Sequence, residues 1–133
     1  MIRAALLLLA VLSSSCVAIL NRKTDVHVAS SAIGTEWQLG DVRGFGNAPR
    51  EVPNSRDART LTASRDGHES LVAAVRPHGM PGWLVPFAVL DFLLVVPAIV
   101  DCELGALWSW PELALVDLPP AGTRTAKLIE TRR

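Results

Sequence analysis

Residues 1–16, MIRAALLLLAVLSSSC, constrain the fold most, because they divide the chain before any domain can form. Arg3 leads into an unbroken apolar run from Ala4 to Leu12, followed by Ser13, Ser14, Ser15 and Cys16. Nine residues make about 14 Å of helix, too short for a bilayer core of roughly 30 Å. The run therefore fits the central part of an export signal rather than a membrane span. Ser13 and Ser15 are small enough for the −3 and −1 positions of a cut before Cys16. The expected arrangement is a signal peptide over 1–15, helical on its own, and one small envelope domain built from 16–133.

Two peptidases accept such a start, and they leave different products. A lipoprotein peptidase leaves Cys16 as an acylated first residue; an ordinary signal peptidase leaves it free. A third outcome is an uncleaved anchor over Ala4 to Leu20, flanked by Arg22 and Lys23. Lipidation leads the three. Each buried methylene contributes about 0.8 kcal/mol, so one acyl chain holds marginally and two or more hold firmly. Acyl chains of the palmitate kind on Cys16 would make membrane lipid the first expected partner. Val17 follows Cys16 where an inner-membrane retention signal would have Asp, so a Gram-negative host would sort the chain to its outer membrane, facing the periplasm.

Charge narrows the remaining partners. Thirteen basic residues balance thirteen acidic ones, and the basic ones are scattered rather than clustered. Nucleic acid is therefore not an expected partner. Much of the apolar content sits in the signal and in Trp83 to Val100, and the chain has no tyrosine and three phenylalanines. A thin core is the expectation. Cys16 and Cys102 are the two cysteines. Acylation of Cys16 leaves Cys102 without a partner in the chain, whereas a free Cys16 permits a bridge in an oxidising compartment.

Local patterning suggests a modest β element and one helical element. Val26 and Val28 alternate with Asp25 and His27, and Trp37 and Leu39 repeat the spacing. Both stretches suit half-exposed strands. Gly44 to Ala58 is rich in Gly, Pro and Asn and reads as a long loop. Arg59 to Ser64, the turn pair Asp66-Gly67 and the apolar stretch Glu69 to Val75 predict a hairpin. His78 to Gly82 breaks regular structure. Glu112 to Val116 suits a short helix, Pro119-Pro120 a break, and 119–133 a loose tail with at most a helical turn over Lys127 to Arg133. The expected class is α+β: a small domain with a short hairpin or sheet, one hydrophobic helical segment and much irregular structure.

Trp83 to Val100, WLVPFAVLDFLLVVPAIV, supplies that helical segment. As a helix its eighteen residues would reach about 27 Å, close to a bilayer core. Its twelve Leu, Ile, Val and Phe residues favour insertion by about 4 to 7 kcal/mol, against about 2.5 to 3.5 for a central Asp91. Pro86 fits a first helical turn, whereas Pro97 removes a backbone bond and kinks the helix. The segment therefore suits a buried helix or hairpin, a membrane-embedded or surface-lying stretch, or a contact for an envelope protein partner through 83–110. Asp91 needs a bonded partner in each setting.

The signal ending in cysteine, Gly34-Thr35, and the order Pro86, Phe87, Leu90, Asp91, Leu93, Leu94, Pro97, Asp101 resemble the YceK/YidQ-type small bacterial lipoproteins. The likeness covers the signal and about sixteen residues around Asp91. It implies an envelope lipoprotein without an assigned enzymatic activity and carries over no catalytic residues.

A search for chemistry agrees with that implication. His27, His68 and His78 are dispersed, with neither i,i+4 spacing nor HExxH order. Asp101, Cys102 and Glu103 are neighbours whose side chains point apart, so no metal site is expected. Gly44 and Gly46 are followed by Pro49 where a phosphate-binding turn needs a third glycine. No catalytic, cofactor or metal residues are expected. The reading is a lipid-anchored structural or interaction protein; a small membrane protein spanning through 83–100 and a secreted enzyme are the alternatives.

Overall fold

The computed structural model describes residues 20–93 and 105–132. Ten strands dominate them: β1 (Lys23–Ser30), β2 (Glu36–Leu39), β3 (Val42–Phe45), β4 (Arg50–Pro53), β5 (Arg59–Ser64), β6 (Leu71–Val75), β7 (His78–Gly79), β8 (Trp108–Ser109), β9 (Leu113–Asp117) and β10 (Lys127–Arg132). A 3-10 turn over Gly82–Leu84 leads into α1 (Val85–Leu93), a nine-residue helix. The α+β expectation is thereby corrected: the described chain is mostly β-sheet, in three sheets. The expected signal helix over 1–15 lies outside the described residues.

The chain divides into two compact units. Among the described residues, one comprises 24–52, 57–76 and 110–132; the other comprises 20–23, 53–56, 77–93 and 105–109. The first, the sheet unit, holds both four-stranded sheets, in the orders β10-β9-β1-β4 and β3-β2-β5-β6. β1 and β9 run parallel, with His27 opposite Leu113 and Ser30 opposite Val116, while β10 returns antiparallel to β9. The second sheet is antiparallel throughout.

Period-two alternation explains the core. Val26 and Val28 of β1, Trp37 and Leu39 of β2, Leu61 and Ala63 of β5, and Ala114 and Val116 of β9 all turn inward. Both sheets contribute to this one cluster, which Val52, Leu71, Val75, Trp110 and Leu118 complete. The expected thin core is thus corrected. Many small apolar residues, each contributed by a different strand, replace a few large aromatics. Trp110 is 1 % exposed and lies 5.6 Å from the Arg59 guanidinium, an arrangement that favours the cation over the ring face.

Polar bonds tie off the ends of the β1–β9 pair. The Ser31 hydroxyl donates to Asp117 Oδ1 at 3.1 Å and accepts from the Leu118 amide at 2.9 Å. Arg124 pairs with Asp117 Oδ2 at 2.8 Å. Thr35 Oγ1 donates to the Ala32 carbonyl at 2.7 Å and shares a hydrogen bond with the Ser30 hydroxyl at 2.9 Å.

Several local expectations change with the fold. Residues read as the Gly44–Ala58 loop include the end of β3 and all of β4, because strand pairing overrides their Gly and Pro content. Glu112 to Val116, expected as a helix, falls largely in β9, where the apolar run is paired on both sides by β1 and β10. The tail expected to be loose or helical contains β10. His78-Gly79 pairs with Trp108-Ser109 as β7 and β8. The β5–β6 hairpin forms as expected, and Gly67 takes the left-handed conformation its turn requires, with φ of 75°.

The second unit has its own polar centre. Asn21 is 5 % exposed; its amide donates to the Ala106 and Trp108 carbonyls, and its Oδ1 accepts from the Ser109 hydroxyl. Asn54 donates to the Asn21 carbonyl at 2.7 Å. Buried amides cost free energy unless bonded, and this set bonds them.

Candidate functional site

Within the sheet unit, the residues that alternate with the core form a polar outer face. On β2, Trp37 and Leu39 turn inward, so Glu36 and Gln38 turn out. Register then builds two rows across three strands. Phe45, Glu36 and Ser64 form one row, and Arg43, Gln38 and Thr62 the next. With Arg50 and the edge of Trp37, these residues line an open depression of about 440 Å³. A second hollow of about 470 Å³ shares Glu36, Phe45 and Ser64 and extends to Gly34, Arg65 and Asp66.

The floor of this face is held by a close approach. The Trp37 indole lies so near Gly44 that a Cβ there would collide with the ring, and its Nε1 donates to the Gly46 carbonyl at 3.2 Å. Glycine at 44 thus leaves the space that the indole occupies. Gln38 is steadied by a 2.7 Å bond from its amide to the Gly40 carbonyl, which leaves its side-chain oxygen as an acceptor. Phe45 is 60 % exposed.

The face is suited to recognition. Guanidinium groups offer forked donors, Glu36 and Gln38 offer acceptors, Thr62 and Ser64 offer hydroxyls, and Phe45 offers a flat apolar surface. The lining contains neither His nor Cys, and its charged side chains are Glu36, Arg43 and Arg50. Among the described residues, no group of three or more His, Cys, Asp or Glu could hold a metal ion.

No family model, curated protein or solved structure matches the chain.

The residues singled out in the sequence lie elsewhere. Cys16, Pro97, Asp101 and Cys102 fall outside the described residues. Pro86 occupies the first turn of α1, exposed, and Asp91 lies further along the same helix. His27 sits on β1, His68 in the β5–β6 turn and His78 on β7, so the histidines do not converge on one element. Among the described residues, no helix is long and apolar enough to cross a membrane. Sequence reasoning passed over the outer face because the end of β3 was read as loop and Arg43 was left unassigned. The alternation in 36–39 and 59–64 already marked Glu36, Gln38, Thr62 and Ser64 as outward.

Proposed function

We propose that the chain is a lipid-anchored cell-envelope protein of interaction type, held through acylated Cys16 and without catalytic activity. In a Gram-negative host it would sit at the outer membrane and face the periplasm. One observation carries this reading: the order Arg3, the apolar run Ala4–Leu12, three serines and Cys16. The likeness of residues 86–101 to YceK/YidQ-type lipoproteins supports it from a separate part of the chain. The outer face around Glu36, Arg43 and Phe45 supplies the working surface, because it offers donors, acceptors and an aromatic ring.

Metabolic labelling with a clickable fatty acid tests the anchor, comparing the wild type with Cys16→Ala and determining the mature amino terminus by mass. Label on the wild type alone, with an acylated Cys16 as residue one, is the expected result. Absence of label from both proteins removes the basis of the reading. The terminus found then distinguishes secretion from an uncleaved anchor.

A further inference from the structure

The second unit carries an apolar surface that water does not explain. Leu84 and Ala88, one helical turn apart, are buried at 0 % and 3 % exposure. The rest of the arc presents Val85, Pro86, Phe87 and Val89, all exposed and none polar, and Trp83 stands exposed in the preceding turn. A helix facing water places polar residues opposite its buried stripe. Here the outward arc is as apolar as the inward one.

We propose that Trp83, Val85, Phe87 and Val89 seat on the lipid surface to which the chain is tethered. The proposal rests on the Cys16 anchor set out above. Asn21 belongs to the same unit as α1 and is locked there by its bonds to Ala106, Trp108 and Ser109. Asn21 is five positions along the chain from Cys16, a reach of at most about 18 Å even when fully extended. An acylated Cys16 therefore holds this unit against the bilayer surface. Leu20, 52 % exposed beside the tether, adds to the apolar contact. Trp83 ends the arc with an indole, a ring that favours the headgroup level because its body is apolar and its N–H is polar. The arc from Trp83 to Val89 contains no Lys or Arg, so its contact is apolar, and against a zwitterionic lipid surface that contact is insensitive to salt.

The test uses the full chain as exported and processed by cells, purified and reconstituted in phosphatidylcholine vesicles whose acyl chains carry bromine near the headgroup. Bromine quenches indole fluorescence at contact; Trp37 and Trp110 are buried in the sheet unit, and Trp108, partly exposed on β8, is replaced by Phe in every protein compared. The expected result is quenching that is unchanged by added salt and mostly lost in Trp83→Phe. A combined Val85→Ser, Phe87→Ser, Val89→Ser variant should lose it as well. Ile33→Ser, at a 91 % exposed site in the sheet unit, should keep it, and far-ultraviolet circular dichroism confirms that each variant folds. Quenching of Trp83 in protein that carries no acyl group on Cys16 supports the surface while ending the anchor reading. An acylated Cys16 with Trp83 unquenched overturns the proposal and leaves the anchor standing. A dimer that the triple variant dissociates, with Trp83 unquenched, assigns the surface to a second copy and also overturns it.

Discussion

Gly44 shows how much one missing methyl group sets in this protein. It stands opposite Trp37 on the core side of β3, and a Cβ at that position would occupy the space of the indole. Gly44→Ala must therefore displace a ring that is 2 % exposed and bonded to Gly46. Overpacking of this kind costs about 1 to 3 kcal/mol. Thermal unfolding should show Tm falling by several degrees, together with a shift in tryptophan emission; an unchanged Tm would mean that the indole has room to move. Asn21 offers the polar counterpart. Asn21→Ala leaves the Ser109 hydroxyl and two carbonyls without their present partner in a buried site. The expected cost is about 1 to 3 kcal/mol. Asn21→Asp keeps the acceptor for Ser109 but loses the amide donor to Ala106 and Trp108, so urea denaturation should place it below the wild type too.

At the level of elements, β9 carries the sheet unit, because β1 pairs with it on one side and β10 on the other. Leu115 is opposite Ala29 in the parallel register and opposite Glu130 in the antiparallel one. Proline there removes a ladder donor and costs about 3 kcal/mol or more. Leu115→Pro should abolish cooperative unfolding by circular dichroism. Ile129→Pro should be far milder, since residue 129 lies at the register irregularity of the edge strand β10 and is 59 % exposed. Equal losses in the two variants would contradict this sheet order. The strands differ in how far the sequence conveyed them. The β5–β6 hairpin was legible because Leu61 and Ala63 alternate with Thr60, Thr62 and Ser64 ahead of Asp66-Gly67, so local pattern and turn chemistry agree. β9 was not, since LALV is continuously apolar and carries neither period on its own. β4 was hidden for a different reason: Val52 is its one buried residue, and its neighbour β1 lies distant in sequence. With β3 unread, half of the outer face at Arg43 and Phe45 was unread as well.

For the whole molecule, charge balance and exposed apolar area act together. Basic and acidic residues cancel at neutral pH, and the isoelectric point is about 6.8. Molecules without net charge lack the mutual repulsion that keeps them apart, so association through exposed apolar sites is least opposed there. In the sheet unit the most exposed large apolar residues are Ile33, 91 % exposed, and Val72, 70 % exposed on the edge strand β6. Replacing both with lysine adds two positive charges and places one on a strand edge, where charge discourages pairing with another chain. Neither side chain contributes to the core, so stability should change by no more than about 0.5 kcal/mol for each. The sign of the pH effect follows from the added cations. Neutrality is reached only at higher pH, so the solubility minimum of the double variant should move upward from that of the wild type and become shallower. Turbidity measured across the neutral range in low salt checks this. A minimum that stays in place would show that association is governed by apolar surface elsewhere, with the arc of α1 as the first surface to substitute.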